Sequence, residues 1–328
     1  MRTILKLDIK TYAGSIGLNL DIKTYAFVIQ FYFSIDLERD GDHSRGARSV
    51  GACYGRNGNN LPIQADVVAL YNTNGIGRMR IYDPDTATLQ DLRGSDIELI
   101  LDVPKDSLQS LGSDASAASQ WVQNNIVNYA DVKFKYIAVR WKRSTTHRDS
   151  SSMRSPRNAK CSFSDSVSSY ITPIMTFLVN NGSPLLANVY TYFSYVGNLQ
   201  DIQLSYASFT SPGVVMQDGN LGYQNLFDAV MDALYSALEK AGGSNVAIMV
   251  SESGWLSEGS TAAMVNNAGT YYRNLINHVK GGTPKKSGQA IGTYLFAMFN
   301  ENLKAARIEQ HFGLFTTDKQ SKYQLTFT

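Results

Sequence analysis

The sequence predicts an α/β protein, a (β/α)8 (TIM) barrel that is incomplete around its fifth strand. Three observations support this fold class. The chain has 328 residues, of which 43 % are hydrophobic and 18 % are charged, a composition typical of a large globular domain. From residue 49 onward, short β-rich runs alternate with helix-like stretches, as in successive βαβ units. We find seven such strands, whereas a closed (β/α)8 barrel needs eight.

The predicted strands are runs of Val, Ile, Leu, Tyr and Phe that end in polar or small residues. In chain order they cover 50–55, 77–83, 97–103, 135–139, 185–193, 246–252 and 293–301. Several of the helix-like stretches between them end in Gly or Asn-Gly, which helix C-termini prefer. These stretches cover 61–75, 115–129, 167–182, 223–243 and 266–282. In the fourth stretch, apolar residues recur at helical spacing, so we expect one face of it to pack on the sheet.

The first 48 residues differ from the rest of the chain. The heptapeptide LDIKTYA occurs at 7–13 and again at 20–26. Two copies cannot build a solenoid, so this repeat indicates a recent duplication or a gene-model artefact. The apolar run at 26–35 resembles the core of a signal peptide, but no clear cleavage site follows it. We therefore interpret 1–48 as an atypical extension, a degenerate signal region or an artefact, and 49–328 as the barrel.

Positive charge is concentrated in one segment. The chain carries a net charge of +2, yet residues 140–160 alone carry +6 and the rest carries −4. The cations of this segment are Arg140, Lys142, Arg143, Arg148, Arg154, Arg157 and Lys160. The near-neutral total gives no support for a nucleic-acid or anionic-membrane partner. The segment itself is either aberrant or a genuine basic loop that binds anions.

Cysteine and histidine are too sparse to indicate a structural framework. Cys53 and Cys161 cannot form a disulfide scaffold, and the four histidines show no metal-ligand spacing. No uninterrupted apolar run approaches the roughly 18 residues of a membrane-spanning helix. We therefore expect no metal, no disulfide framework and no membrane span.

The predicted strand ends carry the residues that bear on function. In a (β/α)8 barrel these ends line the mouth of the active site. They hold carboxylates, amides and aromatic rings, which suit carbohydrate: Tyr54, Tyr82, Asp83, Asp102, Asn188, Tyr190, Glu252, Glu301 and Asn302. Glu252 is the most distinctive, because an apolar strand stops there before Gly254 and Trp255. By itself this pattern fits a surface glutamate of a βα loop equally well.

Eight motifs together resemble the plant β-1,3-glucanases of glycoside hydrolase family 17. They occur in order from about Val50 to the C-terminus, interrupted only around 140–160: CYGRNGNNLP, MRIYDPD, NVYTYFSY, QDGNLGYQNLFDA, VSESGW, GGTPK, FAMFNENLK and EQHFGLF. The resemblance implies a barrel that cleaves β-1,3-glucan polysaccharide internally, with retention of configuration and without metal or cofactor. It further implies a monomer that is secreted to the cell wall or stored in the vacuole, with a role in plant defence.

The resemblance also assigns site residues. Retaining hydrolysis uses two carboxyl groups about 5–5.5 Å apart, one as nucleophile and one as acid/base. Glu252 matches the nucleophile of the family at the end of the seventh barrel strand, and Glu301 and Lys304 match auxiliary cleft residues. A sugar-facing surface is expected from Tyr54, Tyr82, Asn188, Tyr190 and Trp255.

The acid/base of the family is missing from this sequence. The resemblance places it in a Val-Gly-Asn-Glu-Val motif at the end of the fourth strand, but here Val139 is followed by Arg140, Trp141 and Lys142. Lys142 stands about where the acid should be, and an amine with a reference pKa of about 10.4 is a poor substitute for a carboxylic acid. Gly292 also stands in place of a family glutamate.

A shift of reading frame accounts for the missing motif. Trp-Lys-Arg-Ser at 141–144 can be encoded as TGG AAA CGA AGT, which one base later reads Gly-Asn-Glu and opens a Val codon. We therefore hypothesise a frameshift or mis-spliced exon boundary just after Val139, with likeness to the family resuming near Ser162. Three readings stay open: an endo-β-1,3-glucanase that lacks its acid, a catalytically impaired glucan-binding protein, and a non-functional pseudogene or mis-annotated product.

Overall fold

Parallel strands close into a barrel in this computed structural model. The structure describes residues 4–9, 30–31, 50–139, 141–142, 162–163, 165–305 and 307–327. In these ranges the strands are β1 Ile4–Ile9, β2 Gln30–Phe31, β3 Val50–Tyr54, β4 Arg78–Ile81, β5 Glu98–Asp102, β6 Lys133–Val139, β7 Trp141–Lys142, β8 Leu185–Val189, β9 Met216–Asp218, β10 Leu221–Tyr223, β11 Ile248–Ser253 and β12 Thr293–Leu295. The order around the barrel is β1-β6-β5-β4-β3-β12-β11-β8, while β9–β10 and β2–β7 form separate two-stranded sheets.

Helices connect the barrel strands. They are α1 Gln64–Thr73, α2 Thr86–Asp91, α3 Leu108–Ser113, α4 Ala115–Asn125, α5 Asp165–Asn181, α6 Thr191–Gly197, α7 Leu204–Ala207, α8 Leu226–Lys240 and α9 Val265–His278. In three of these helices the side chain of the N-cap residue accepts a hydrogen bond from a backbone N–H of the first turn. These N-cap residues are Asp85 for α2, Asp114 for α4 and Asn225 for α8. No described helix is long and apolar enough to cross a membrane.

The α/β barrel prediction is confirmed, and the seven predicted strands are all present. Two of them extend less far than predicted, because β8 ends at Val189 and β12 at Leu295. The aromatic run after Val189 forms α6 instead, where Tyr192 is buried against the core. A β-rich composition alone does not separate a strand from a short buried helix. The apolar face predicted for 223–243 is confirmed, since Leu226, Leu234 and Leu238 of α8 are buried.

The fifth position of the barrel is filled from the N-terminus. The described residues between Val139 and Leu185 contribute only β7 and α5, and neither is a barrel strand. Strand β1 occupies the gap and pairs in parallel with β6 on one side and β8 on the other. The first heptapeptide copy therefore begins inside β1. The second copy and most of the signal-like run lie outside the described residues, and the division at residue 48 stays a prediction.

Candidate active site

Glu252 lies at the mouth of the barrel, near the C-terminal end of β11. It is in register with Asn188 on the neighbouring strand β8, so the two residues stand at the same level. Only 7 % of Glu252 is exposed. A charged side chain is rarely buried to this extent unless other groups satisfy it. The surroundings of this carboxylate therefore define the site.

Four donors converge on the Glu252 carboxylate. The Arg80 Nη1 and the Tyr82 hydroxyl donate to Oε1 over 2.8 and 2.9 Å. The Asn188 Nδ2 and the Tyr190 hydroxyl donate to Oε2 over 2.7 and 3.0 Å. Donors on both oxygens stabilise the ionised carboxylate and fix its orientation. The structure thus brings together four of the residues predicted from strand ends, Tyr82, Asn188, Tyr190 and Glu252, and adds Arg80.

Arg80 links Glu252 to a second carboxylate. Its fully buried guanidinium donates to both oxygens of Asp102, from Nε over 2.9 Å and from Nη2 over 2.5 Å. Burial by itself lowers the pKa of Arg80, but the negative charges around it, led by Asp102, hold that pKa well above its usual value. The sequence signal for Arg80 was a cation inside the apolar run of β4, a position where charge is costly unless it is paired.

Tyr82 remains a protonated hydrogen-bond donor at neutral pH. Burial, together with nearby groups such as Cys53 and Glu252, raises the pKa of Tyr82 well above its usual value. Burial also raises the pKa of Tyr54 to about 12. Tyr54 is nearly fully buried and packs edge-on against Phe299, with ring centroids 6.3 Å apart.

Phe296 forms an apolar wall beside the carboxylate. Its ring lies edge-on to Tyr82 and Tyr190, with centroids 6.5 and 6.2 Å away, and edge-on to Phe312 at 5.3 Å. The Lys304 Nζ lies 5.3 Å from the centroid of the same ring, within cation–π range. Phe296 directly follows β12, but the sequence analysis did not single it out, because a buried phenylalanine after a strand is indistinguishable from ordinary core.

Glu301 organises the loop after β3. Its Oε1 accepts the backbone N–H of Asn57 over 2.9 Å, and the Lys304 Nζ lies 3.6 Å from its Oε2. A Cβ at Gly55 would lie 2.4 Å from Glu301 Oε1, so a side chain at that position would displace the carboxylate. Glu301 and Lys304 therefore pair with each other, and the Lys304 ammonium lies beside Phe296, whereas their expected role as auxiliary cleft residues stays a prediction.

Trp255 does not belong to an exposed sugar-facing surface, and that expectation is wrong. Its side chain is 0 % exposed, and its indole N–H donates to the backbone carbonyl of Ala262 over 3.0 Å. The ring packs edge-on against Tyr192 and stacks on Tyr195. A position after a barrel strand predicts proximity to the mouth but not exposure. Trp255 supports the loop that follows Glu252.

The resemblance places the acid of the family at the end of β6. Strand β6 ends at Val139, and two residues later β7 pairs in antiparallel fashion with Gln30–Phe31. In that pairing Lys142 is the register partner of Gln30. The absence of the family acid at this strand end stays a prediction. In the described part of the chain, no group of three or more His, Cys, Asp or Glu side chains is placed to hold a metal ion.

The fold and the site define the class of the protein. It is a parallel (β/α)8-type barrel that holds a buried, hydrogen-bonded carboxylate at the C-terminal ends of its strands, where the barrel enzymes have their active sites. The family model for glycosyl hydrolases family 17 matches residues 50–152 and 140–327. The chain belongs to this family.

Relatives and solved structures agree with this assignment. A glucan endo-1,3-beta-glucosidase of Vitis vinifera is 59 % identical, across 86 % of this chain and 93 % of the relative. The acidic isoform GI9 of the same enzyme from Nicotiana tabacum is 51 % identical, across 86 % and 92 %. Among solved structures, one of two plant beta-glucan endohydrolases with distinct substrate specificities is 37 % identical with a TM-score of 0.78, covering 84 % of this chain and 99 % of that one. CJP38, a beta-1,3-glucanase and allergen of Cryptomeria japonica pollen, is 39 % identical with a TM-score of 0.78, covering 85 % and 99 %.

Proposed function

We propose that this protein hydrolyses internal linkages of β-1,3-glucan by a retaining, double-displacement mechanism with Glu252 as the nucleophile. The observation that carries the proposal is the buried Glu252 carboxylate, held at the barrel mouth by four donors. The names of the relatives from Vitis vinifera and Nicotiana tabacum support the substrate class. In the first step, a Glu252 oxygen attacks the anomeric carbon, the glycosidic C–O bond breaks, and the leaving oxygen takes up a proton.

The surroundings of Glu252 suit a nucleophile. Arg80 and Tyr82 bind one carboxylate oxygen, and Asn188 and Tyr190 bind the other, so the attacking group is oriented before substrate arrives. Phe296 supplies an apolar wall beside it, next to the ammonium of Lys304. In the second step, water attacks the anomeric carbon and the bond to Glu252 breaks, which restores the carboxylate.

The sequence after Val139 does not supply the proton donor that the family uses. If the acid of the family is absent, turnover falls by about 10²–10⁴, the usual contribution of a general acid. The chain would then act as a glucan-binding protein, or be the product of a pseudogene or of a mis-spliced exon after Val139. Sequencing the transcript across codons 139–161 tests the last reading, and an intact in-frame message that encodes this segment defeats it.

Reducing-end release from a linear β-1,3-glucan tests the function itself. We expect the parent chain to release reducing ends and Glu252→Gln to reduce that rate by at least about 10³. Glu258→Gln is the control, because that glutamate is 75 % exposed and pairs with His311, away from the Glu252 carboxylate. Glucan binding without release favours the binding protein, and the lack of a cooperative melting transition favours the pseudogene product. Equal rates for parent chain and Glu252→Gln rule out the nucleophile.

The remaining expectations follow from the family. We propose a monomer that acts on polysaccharide without cofactor and reaches the cell wall or the vacuole.

A further inference from the structure

Asp102 is a buried carboxylate of the site that has no step in the proposed mechanism. It lies at the C-terminal end of β5, and only 2 % of it is exposed. Its Oδ1 accepts from the Arg80 Nε over 2.9 Å, and its Oδ2 accepts from the Arg80 Nη2 over 2.5 Å. Both oxygens of Asp102 therefore bind one guanidinium, and the same guanidinium binds the nucleophile.

Arg80 divides its donors between two carboxylates. The Nε and Nη2 groups donate to Asp102, while Nη1 donates to Glu252 Oε1 over 2.8 Å and to the carbonyl oxygen of Ser251 over 3.1 Å. A guanidinium is planar, so a bidentate pair along its Nε–Nη2 edge fixes the direction of Nη1. The ring of Tyr82 covers this group, with the Arg80 Cζ 4.5 Å from the ring centroid. Asp102 therefore helps to determine where Arg80 meets Glu252.

The charge of this network changes during the proposed reaction. Before attack, the carboxylates of Asp102 and Glu252 share one buried cation. When Glu252 bonds to the anomeric carbon, its negative charge is consumed, because the glycosyl ester is neutral. Arg80 is 0 % exposed, and a buried cation that loses its counter-ion is costly. Asp102 keeps a negative charge next to this cation at that stage.

We infer that Asp102 is a positioning residue for the nucleophile, which acts as the counter-ion of Arg80 while the glycosyl ester exists. The inference rests on the proposed function. During attack, a Glu252 oxygen bonds to the anomeric carbon, and the leaving oxygen takes the electron pair of the bond that breaks. Arg80 and Asp102 keep their opposite charges as Glu252 loses its own. Water then bonds to the anomeric carbon and loses a proton, and the electron pair of the ester bond returns to the Glu252 carboxylate.

Loss of the Asp102 charge should affect the two steps of the reaction differently. More of the Arg80 charge then acts on Glu252 before attack, and less negative charge surrounds Arg80 after it, so formation of the ester slows. Hydrolysis of the ester is not slowed, because it restores an anion beside that cation. A residue that only supports the fold would instead lower the fraction of protein that reacts, or slow both steps alike.

A slow substrate allows the two steps to be measured separately. The 2,4-dinitrophenyl 2-deoxy-2-fluoro β-glycoside of a β-1,3-linked glucose disaccharide needs no proton donor, so the test does not depend on the acid of the family. Intact-protein mass spectrometry follows formation of the ester and, after removal of the reagent, its hydrolysis. We expect Asp102→Asn in the full chain to lower the rate constant of ester formation by about 10–100-fold, a loss typical of removing the partner that orients a site residue, and not to lower the rate constant of hydrolysis.

Asp131→Asn is the matched control, because it makes the same change at another aspartate that pairs with an arginine. The Arg93 Nη1 lies 2.6 Å from Asp131 Oδ1, and these side chains are 36 % and 48 % exposed. We expect Asp131→Asn to leave both rate constants at the parental values. Asp102→Glu, which keeps the negative charge, should form the ester faster than Asp102→Asn. An Asp102→Asn variant that forms the ester at the parental rate overturns the inference. It is also overturned if both rate constants fall by the same factor, or if formation slows only in a variant that no longer melts like the parent.

Failure of this inference is distinguishable from failure of the proposed function. If the parent chain forms the ester, Glu252→Gln does not, and Asp102→Asn matches the parent, Glu252 is the nucleophile and Asp102 has no role in its reaction. If the parent chain forms no ester, or Glu252→Gln forms it as fast as the parent, the proposed function and the role of Asp102 both fail.

Discussion

The two sides of the barrel mouth are built differently. On the nucleophile side, Glu252 and its partners come from strands β4, β8 and β11, and every one of these strands lies within the family match. On the other side is what we term the seam, which consists of β1 between β6 and β8. Its central strand comes from the extension ahead of the family match. Around Glu252 every donor is paired, whereas at the seam the chain replaces a strand with a segment from elsewhere in its sequence.

The difference shows that a position in the barrel is filled by backbone pairing, whichever part of the chain supplies the strand. A gap between β6 and β8 would leave two unpaired edges, each a row of unsatisfied backbone groups. A segment with period-two alternation can satisfy them, and Leu5, Leu7 and Ile9 alternate with Lys6 and Asp8. The replacement strand does not restore the Gly-Asn-Glu sequence of the family.

The largest effect is expected on the nucleophile side. Arg80→Met removes the buried cation that pairs with both Asp102 and Glu252, so that these two buried carboxylates lose their shared counter-ion. We expect the free energy of unfolding to fall by about 3–5 kcal/mol, because an uncompensated buried charge is costly. Glucan cleavage should fall as well, because the nucleophile loses a donor. Urea unfolding and reducing-end release measure the two effects.

Arg78 is the matched control for Arg80. It lies on the same strand and pairs with Glu98 over 2.8 Å, but both partners are partly exposed. We expect Arg78→Met to cost no more than about 1 kcal/mol and to leave cleavage unchanged. Equal losses for the two arginine variants would show that the Arg80 network contributes no more than an ordinary surface pair.

The contrast between the two sides also marks how far the sequence alone predicts the molecule. Strands and helices could be predicted because alternation and apolar periodicity are local signals. Glu252 could be predicted because an apolar run ends at a carboxylate inside a distinctive motif. The role of Arg80 depends on Asp102 and Glu252, which approach it only in three dimensions. The burial of Trp255 likewise depends on α6, and the position of β1 depends on an edge that exists only after the other strands have paired.

A smaller effect is expected at the seam. Leu7→Pro removes a backbone N–H from the middle of β1, where Leu7 stands opposite Ala187. If β1 closes the barrel, the free energy of unfolding should fall by roughly 2–4 kcal/mol, from lost ladder hydrogen bonds and backbone strain. Circular dichroism during urea titration measures this change.

The second heptapeptide copy provides the comparison for the seam. Leu20 corresponds to Leu7 in sequence, so Leu20→Pro places the same residue in the same local context. We expect this variant to unfold like the parent chain. If Leu7→Pro is as stable as Leu20→Pro, strand β1 does not close the barrel between β6 and β8.

The smallest effect concerns Lys322, a half-buried lysine beside the loop that follows β11. Burial lowers the pKa of Lys322 to about 8, although Glu258 opposes this, and the ammonium donates to Ser257 Oγ over 2.8 Å. In the unfolded chain the pKa of this lysine is 10.5. Between pH 8 and pH 10.5 the unfolded chain therefore binds more protons than the folded chain, so the contribution of Lys322 to the free energy of unfolding rises with pH across that window.

We therefore expect Lys322→Met to stabilise the protein at pH 7 by about 1 kcal/mol, net of the lost hydrogen bond, and to lose that advantage by pH 10. Urea unfolding at both pH values measures this, with the exposed Lys319, paired with Asp66, mutated to Met as the control. If Lys322→Met is less stable than the parent at pH 7, the hydrogen bonds of Lys322 stabilise the fold by more than the burial of its charge destabilises it.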